Sequence, residues 1–314
     1  MLTKPIKRNI SGVLLLDKPI GITSNKALQI TKRLFNASKA GHTGTLDPLA
    51  TGLLPVCFGE ATKFSSALLG ADKTYTATLK LGYISSTGDA DGEISVAGDV
   101  NLTSKQIKLA LQGLTGKILQ TPPMYSALKH QGKPLYSYAR KGIEIERKSR
   151  EITIYDLQVV AFEENNMDIM VKCSTGTYIR TLAEDLGKIL GCGGAYITSL
   201  NRNEIENLNL SDAYTLDMLK SMSSAQLDAC LHPADSLLHN LPAVFMNNTD
   251  SQHLLNGQVV TNTALANKFQ ENEKIRIYND EKQFLGLGEI TACGAITPKR
   301  LIATSSTQDS SRKL

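Results

Sequence analysis

The segment GHTGTLDP at 41–48 constrains this chain more than any other. Two glycines and a proline interrupt a polar loop, and an apolar, strand-like run, LATGLLPV at 49–56, follows directly. Asp47 therefore stands where a rigid scaffold can hold a carboxylate at a cleft. Composition alone leaves a second interpretation open, a turn in which Asp47 caps a neighbouring amide.

Three motifs together carry a specific resemblance. They are DKP at 17–19, the segment 41–66 that contains GHTGTLDPLATGLLP, and GTYIR at 176–180. With these motifs the chain, over about residues 10–302, resembles the TruB family of tRNA pseudouridine synthases. The resemblance implies the α+β pseudouridine synthase fold, in which helices flank a mixed, mostly antiparallel sheet.

Length and composition predict a cytoplasmic protein of about two domains. The 314 residues are 41% hydrophobic, which supports a sizeable core. No apolar run approaches the roughly 20 residues that span a bilayer, and the basic N-terminus lacks the apolar region of a signal peptide. Five dispersed cysteines without a CxxC pair indicate reduced thiols rather than a disulfide framework or a zinc site.

The charges are distributed unevenly along the chain, although the net charge is only +4. Residues 1–40 hold eight Lys/Arg against one Asp, and residues 129–150 hold seven against two Glu. Residues 203–250 hold seven acids against one lysine. This asymmetry predicts a basic face for a polyanion, with ordinary solvated surface as the alternative.

The N-terminal half predicts alternating strands and helices. A buried strand is expected at 13–16, followed by a helix that Ser24 caps. Residues 74–81 alternate strictly between apolar and polar side chains, which predicts a half-buried strand. The Gly/Asp-rich residues 83–99 are expected to form a mobile loop, and a helix is expected around 107–114.

The C-terminal half predicts a projecting insertion and a second domain. Residues 122–150, rich in Pro, Tyr and Lys/Arg, read as an insertion that we call the thumb. Strands are expected at 152–162 and 167–174, then an amphipathic helix that begins at 175–177, then a helical connector over the acidic residues 203–240.

From about residue 241, short strands with turn signals predict a small β-barrel, which resembles an RNA-binding PUA domain. We therefore expect a catalytic domain over 1–240, a PUA-like domain over 241–303 and a disordered, Ser-rich tail over 304–314.

The resemblance implies a reaction that breaks the glycosidic C–N bond of uridine, rotates the uracil and rejoins it through carbon. This isomerisation requires no redox cofactor and no metal, but it does require an ionised carboxylate.

Asp47 matches the family's catalytic aspartate, the nucleophile, although sequence leaves open whether it attacks sugar or base or starts an elimination. Arg180 matches the arginine that pairs with it; a surface ladder of Arg180, Glu184 and Lys188 is the alternative.

The resemblance also implies roles around the target base. Tyr75 would stack on the flipped uracil, while Tyr178 and Leu200 would wall the pocket; each could equally be an ordinary core residue. His42 would contact the RNA where the base leaves the stack, or simply hydrogen-bond within its loop.

The remaining residues near the predicted RNA surface are two lysines and one asparagine that differs from the family pattern. Lys18 and Lys63 match basic family positions and suit phosphate contacts, but either could be a plain surface lysine. Asn201 stands where family members commonly carry a second arginine, which puts one phosphate contact in doubt.

The target base lies inside folded RNA and must be flipped out. The thumb interleaves aromatic residues, which stack on bases, with cations, which follow phosphates. These residues are Tyr125, Tyr136, Tyr138, Lys129, Lys133, Arg140, Lys141, Arg147, Lys148 and Arg150. The resemblance implies a stand-alone monomer that needs no guide RNA and no membrane and modifies the T-arm uridine of tRNA (position 55 in tRNA numbering).

Two other functions are less well supported. A nucleotidyltransferase is suggested by a loose likeness of the 42–45 loop to an HxGH motif, but the second histidine is replaced by Thr45. An RNA-binding or tRNA-folding protein with incidental catalysis is the other, and a tritium-release assay separates it from the enzyme.

Overall fold

The fold is given by a computed structural model that describes residues 6–261, 265 and 268–303. Its strands are β1 (Gly12–Lys18), β2 (Ala40–His42), β3 (Thr51–Phe58), β4 (Lys73–Leu81), β5 (Tyr83–Ser85), β6 (Ile94–Val96), β7 (Gly116–Gln120), β8 (Lys129–His130), β9 (Lys133–Pro134), β10 (Arg150–Glu163), β11 (Asn166–Cys173), β12 (Ala195–Ile205), β13 (Leu208–Asn209), β14 (Tyr214–Thr215), β15 (Ala243–Met246), β16 (Val260–Thr261), β17 (Lys274–Asn279), β18 (Phe284–Ile290) and β19 (Ala295–Leu301). Its helices are α1 (Ser24–Leu34), α2 (Ser104–Leu114), α3 (Leu135–Ala139), α4 (Ile179–Ile189), α5 (Leu216–Ser221), α6 (Ser224–Ala229) and α7 (Asn248–Leu255). The predicted tail at 304–314 lies outside the described residues.

Ten strands form the main sheet, in the order β14–β1–β3–β12–β4–β11–β10–β7, with β2 on β3 and β13 on β12. The β1–β14 and β12–β3 pairs are parallel and the others are antiparallel. The predicted mixed, mostly antiparallel sheet is therefore confirmed. Helices α1, α2, α4 and α5 contribute to the same buried hydrophobic cluster as the strands.

The amphipathic patterns that predicted β4 and α4 are borne out by burial. Along β4, Tyr75, Ala77, Leu79 and Leu81 are buried while the intervening residues are partly exposed, because successive side chains point to opposite faces of a sheet. Helix α4 buries one stripe against the sheet, whereas Ile189 at its C-terminal end is 53% exposed.

Three local predictions were wrong. Thr23, not Ser24, caps α1, since the Thr23 hydroxyl accepts from the Lys26 amide. Helix α4 begins at Ile179 with Tyr178 at its N-cap, rather than at 175–177. The segment 83–99 contains the β5–β6 hairpin, which carries a buried Asp89, so long-range contacts give structure to a stretch whose composition is typical of a loop.

The connector over 203–240 is only partly helical. It contains the end of β12, the short strands β13 and β14, helices α5 and α6, and two 3-10 turns at Leu210–Asp212 and Ala234–Leu238.

The C-terminal strands form a second sheet in the order β15–β17–β18–β19–β16, with β15 parallel to β17. The sheet curls into a half-barrel, which confirms the predicted PUA-like architecture. It packs on the main body through Phe64 and Phe284, whose ring centroids are 5.3 Å apart. The predicted domain boundaries stay predictions.

Candidate active site

The Asp47 loop connects β2 to β3, two antiparallel neighbours in the main sheet. The Thr43 amide donates to the Pro55 carbonyl at 3.0 Å, and the Ala50 amide donates to the Asp47 carbonyl at 3.1 Å. Gly44 adopts a φ of +73°, a backbone conformation that glycine adopts without a steric penalty. The loop therefore returns the chain tightly to the sheet with Asp47 near its end.

Two buried side chains hold this loop from below. The Ser24 hydroxyl accepts from the Leu46 amide at 2.8 Å and donates to the Leu46 carbonyl at 2.9 Å. Arg202 donates from Nη2 to the Gly44 carbonyl at 3.1 Å and from Nε to the Leu53 carbonyl at 2.8 Å. The backbone on the N-terminal side of Asp47 is fixed because its polar groups are paired with groups that water does not reach.

Lys18 holds the other side of the loop. Its ammonium donates to the carbonyls of Ile22 at 2.7 Å, Pro19 at 2.9 Å and Pro48 at 3.5 Å, and the residue is fully buried. Burial lowers the pKa of Lys18 to about 8, although the Asp47 carboxylate opposes that shift. The predicted phosphate contact stays a prediction; the contacts observed are all to backbone carbonyls.

Asp47 and Arg180 form an ion pair with Nη2–Oδ2 at 2.9 Å. The carboxylate side chain is 43% exposed and the guanidinium side chain 7%. Arg180 also donates to the Thr87 carbonyl at 2.9 Å and to the Tyr125 carbonyl at 2.7 Å. A buried guanidinium thus fixes one oxygen of a carboxylate that solvent can reach.

The alternative surface ladder on α4 is not formed. Glu184 pairs with Lys188 at 2.6 Å, while Arg180 turns to Asp47 on another element. Residues 180 and 184 are four positions apart, so helical spacing alone could not distinguish these two arrangements.

A second carboxylate lies on the far side of Arg180. Asp89 Oδ2 is 3.6 Å from Arg180 Nη1, and its other oxygen accepts from the Thr87 hydroxyl. The pKa of Asp47 is raised, mainly by burial, and the negative charges of Asp89 and Asp91 add to the rise. Arg180 and Lys18 oppose it. Without Arg180, Asp47 would therefore lose the strongest interaction that favours its ionised form.

Tyr75 lies on β4, opposite Arg202 on β12. The residue is 8% exposed. Burial raises the pKa of Tyr75, and Arg202 opposes that rise. At neutral pH the phenol is therefore protonated.

Tyr178 is held at the start of α4 by a buried glutamine. Gln120 accepts from the Tyr178 amide at 2.7 Å and donates to the Tyr178 carbonyl at 3.1 Å. The Arg150 guanidinium lies 5.4 Å from the centroid of the Tyr178 ring, a cation–π distance. The ring is half-buried, as a pocket wall would be, but its role stays a prediction.

His42 ends β2 directly before the Asp47 loop, and its Nδ1 is buried without a hydrogen-bond partner among the described residues. Burial lowers the pKa of His42, and the charge of Arg202 lowers it further. The imidazole is therefore neutral at pH 7, a form suited to stacking and to accepting a hydrogen bond.

Leu200 is buried on β12 beside a cavity of about 400 Å³. Leu49 and Thr51, which follow the Asp47 loop, also line that cavity, whereas Asp47, Tyr75 and Arg180 do not. Next to Leu200, the buried Oδ1 of Asn201 has no hydrogen-bond partner among the described residues. It would lie 2.5 Å from a Cβ at position 52, so Gly52 is required there.

Lys63 has contacts of another kind. Its ammonium binds the Glu60 carboxylate at 2.6 Å and the Leu301 carbonyl at 2.9 Å, and Arg300 donates to the Lys63 carbonyl at 3.0 Å. These bonds tie the main body to the C-terminal sheet. The structure gives Lys63 no polar contact with Asp47, Arg180 or Tyr75.

The thumb contains the β8–β9 hairpin and α3. Lys129, Lys133, Arg140 and Lys141 are all exposed, and none has a carboxylate within 4.0 Å among the described residues. The Arg140 guanidinium lies 5.4 Å from the ring centroid of Tyr136. Exposed cations beside an aromatic face can contact both phosphates and bases.

Family models account for most of the chain. The TruB family pseudouridylate synthase N-terminal domain matches residues 32–179, the tRNA pseudouridylate synthase B C-terminal domain matches 180–239, and a C-terminal domain of pseudouridine synthase II TruB matches 242–302. The chain belongs to the TruB family of pseudouridylate synthases, which are isomerases.

Individual relatives agree along nearly the whole length. The tRNA pseudouridine synthase B of Nitrosospira multiformis is 57% identical over 302 residues, which are 94% of this chain and 96% of that protein. The enzyme of the same name from Methylobacillus flagellatus is 50% identical over 299 residues, covering 95% and 97%.

Solved structures share the fold. A chain from an H/ACA ribonucleoprotein bound to a substrate RNA is similar with a TM-score of 0.70 and 22% identity, over 93% of this chain and 85% of that one. A chain from a Cbf5–Nop10–Gar1 complex has a TM-score of 0.71 and 23% identity, over 94% and 86%. No helix within the described residues is long and apolar enough to cross a membrane.

Proposed function

We propose that this protein converts the T-arm uridine of tRNA, position 55, to pseudouridine, with Asp47 as the catalytic carboxylate. The observation that carries the proposal is the Asp47–Arg180 pair, in which a buried guanidinium holds a solvent-accessible carboxylate at 2.9 Å. The names of the bacterial relatives support tRNA as the substrate.

Asp47 would act while the N1–C1′ bond of uridine breaks and the C5–C1′ bond forms. The proton on C5 leaves as the new carbon–carbon bond forms, and N1 gains a proton, so the product is an isomer of the substrate. The order of attack on sugar, attack on base and elimination stays open. Arg180 would keep Asp47 ionised, since desolvation alone favours the neutral acid.

The remaining residues would bind the flipped nucleotide. We assign stacking on the uracil to Tyr75, the pocket walls to Tyr178 and Leu200, and the contact with RNA at the vacated position to His42. Tyr75 pairs with Arg202 across β4 and β12, Arg202 donates to Gly44 in the Asp47 loop, and His42 ends the strand that leads into that loop. These contacts support a common site for Tyr75, His42 and Asp47.

The thumb would hold the tRNA, with Lys18 and Lys63 as the predicted phosphate contacts. Its exposed cations are suited to the phosphate backbone, which dominates RNA affinity. We propose a monomer that acts without a guide RNA, because the thumb supplies a gripping surface within the chain. Since its substrate would be tRNA, we propose the cytoplasm as its place of action. The same proposal includes a catalytic domain over 1–240 and a PUA-like domain over 241–303.

The test is tritium release from T-arm RNA that carries uridine labelled at C5. The protein should release label from the target uridine, and an RNA with the label only at other uridines should release none. A protein that binds the RNA and releases no label from either would be an RNA-binding or tRNA-folding protein, the second candidate that the basic thumb supports.

A further inference from the structure

The thumb leaves and rejoins the main sheet at Gln120 and Arg150. Gln120 ends β7, Arg150 begins β10, and the two residues lie directly opposite each other in that antiparallel pair. Opposed residues in such a pair place their side chains on the same face of the sheet. Both side chains reach Tyr178, the residue directly before α4.

Gln120 holds the backbone of Tyr178. The residue is 1% exposed, its side-chain oxygen accepts from the Tyr178 amide at 2.7 Å, and its side-chain nitrogen donates to the Tyr178 carbonyl at 3.1 Å. The same carbonyl accepts the first hydrogen bond of α4, from the Leu182 amide at 3.0 Å. One buried side chain thus pairs with both backbone groups of Tyr178 and fixes its place at the start of the helix.

Arg150 covers the ring of the same tyrosine. Its Cζ lies 5.4 Å from the ring centroid, a cation–π distance. A Cβ at position 176 would lie 3.8 Å from that Cζ, so the guanidinium also lies close to the backbone two residues earlier. Its Nη2 is buried without a hydrogen-bond partner among the described residues, which closes this nitrogen to water and equally to an RNA phosphate.

The half-buried Arg150 therefore differs from the other thumb cations. Those with exposed side chains are Lys129, Lys133, Arg140 and Lys141. Exposed cations are available to a phosphate backbone, whereas a guanidinium that lies on an aromatic ring at the base of the thumb restricts the positions which that ring can adopt.

We propose that Gln120 and Arg150 are positioning residues for Tyr178, which together orient its ring as a wall of the uridine pocket, and that Arg150 acts on this ring rather than on a phosphate. The inference rests on the proposed function and changes the role that the sequence predicted for Arg150. Neither residue has to touch a reacting atom. Because both ends of the thumb are fixed to Tyr178, the segment that grips the tRNA and the wall that receives its uridine form one unit.

The experiment is a pair of double-mutant cycles, in which Arg150→Met and Gln120→Leu are each combined with Tyr178→Leu. They are read as kcat and KM for tritium release from T-arm RNA, at a temperature where circular dichroism shows the variants folded. Alone, each change should lower kcat about 10-fold, within the roughly 100-fold that a misplacement of about 1 Å can cost, and leave KM within about 2-fold. In the Tyr178→Leu background each should cost at most about 2-fold, because the ring is already absent.

Salt dependence separates the positioning role from a phosphate contact. Arg140 lies at the same distance of 5.4 Å from the ring centroid of Tyr136, but it is exposed on the thumb. Arg140→Met should lower the slope of log affinity against log salt by roughly one unit, whereas Arg150→Met should leave that slope unchanged.

The matched control for the lost contact is Arg276→Met. The Arg276 guanidinium lies 5.8 Å from the ring centroid of Tyr278 in the C-terminal sheet, so its replacement removes the same kind of contact from another sheet. The kcat of this variant should equal that of the wild type. Thermal unfolding of all variants shows whether loss of stability accounts for any loss of rate.

Three outcomes would overturn the inference. Equal losses in both backgrounds would mean that Gln120 and Arg150 act independently of the Tyr178 ring. A reduced salt slope and a raised KM in Arg150→Met, with kcat unchanged, would make Arg150 a phosphate contact. Failure of both Arg150→Met and Gln120→Leu to fold, with Arg276→Met folded, would assign the two residues to the fold alone; if only one fails, the cycle of the other decides. A wild-type protein that releases no label would overturn the proposed function instead.

Discussion

Arg180 connects Asp47 to the thumb. The same Nη2 that lies 2.9 Å from Asp47 Oδ2 donates to the Tyr125 carbonyl at 2.7 Å. Nη1 meanwhile donates to the Thr87 carbonyl in the loop of the β5–β6 hairpin. One guanidinium on α4 thus contacts the candidate catalytic carboxylate, the thumb and the loop of the β5–β6 hairpin.

Arg180→Met should reduce activity by several orders of magnitude at neutral pH, with partial recovery as pH rises. Arg180 lowers the pKa of Asp47 against burial, so removing it raises that pKa further and depletes the ionised form. Deprotonation at higher pH restores part of it. The measurement is the single-turnover rate against pH.

Arg180→Lys should retain little more activity than Arg180→Met, because a point charge cannot reach Asp47, Tyr125 and Thr87 together. Lys188→Met is the control on the same helix, since it removes a cation that pairs only with Glu184; its rate should equal that of the wild type. A near-normal rate in Arg180→Met would leave Asp47 without its proposed partner.

Asp47→Asn should abolish pseudouridine formation and keep tRNA affinity within a few-fold, because the shape of the side chain is preserved. It should not lower stability. The pKa of Asp47 is raised in the folded protein, so ionisation disfavours folding once the pH exceeds the unfolded value of 3.8. Denaturant unfolding at pH 7 should show a free energy equal to or above that of the wild type.

Asp217→Asn is the control for that variant, because Asp217 is 91% exposed and pairs with Lys220 on α5. Its activity should be normal. Retention of even a tenth of wild-type activity in Asp47→Asn would remove Asp47 as the essential carboxylate.

Replacing Lys129, Lys133, Arg140 and Lys141 with glutamine should weaken tRNA binding and flatten its salt dependence. Each phosphate contact that is lost lowers the slope of log affinity against log salt by roughly one unit. The slopes come from binding titrations at several salt concentrations.

A two-residue comparison controls for net charge. The pair Lys105 and Lys108 on α2 is exposed and lies outside the thumb, so its neutralisation should leave the slope unchanged, whereas neutralising Lys129 and Lys133 should reduce it. Equal slopes for the two pairs would make the thumb an ordinary solvated surface.

Lys18 predicts a stability change at alkaline pH. Its pKa is lowered from 10.5 to about 8 in the folded protein, so between these values the unfolded chain binds more protons. Stability contributed by this group therefore rises with pH across that window. The free energy of unfolding of the wild type should rise relative to Lys18→Met between pH 8 and pH 10. A constant difference would mean that Lys18 does not titrate in this range.

Local patterns predicted most of the fold. The alternation along 74–81 gave β4, and the apolar stripe after GTYIR gave α4, because each pattern reflects one face packed on one core. The resemblance supplied Asp47 and Arg180, and the structure brings these two residues together.

Residues whose importance depends on distant partners could not be predicted. Ser24 is a plausible cap by sequence, yet its hydroxyl holds Leu46, 22 residues away. Asp89 lies in a Gly/Asp-rich stretch, yet it is buried and its carboxylate lies 3.6 Å from Arg180. For Arg202 the sequence contained one indication of burial. Residues 200 and 202 are two positions apart on a strand, so Arg202 lies on the same inward face as Leu200.

The hydrophobic cluster around Phe64 and Leu237 crosses the junction at which two of the matched family segments meet, residues 239 and 242. Phe284, Leu287 and Ile302 of the C-terminal sheet cover this cluster. Two segments that match separate family models therefore share one hydrophobic cluster in this protein. A chain cut at that junction would expose apolar side chains of the cluster to water. Fusing either half to an unrelated protein would therefore require polar replacements for those exposed side chains.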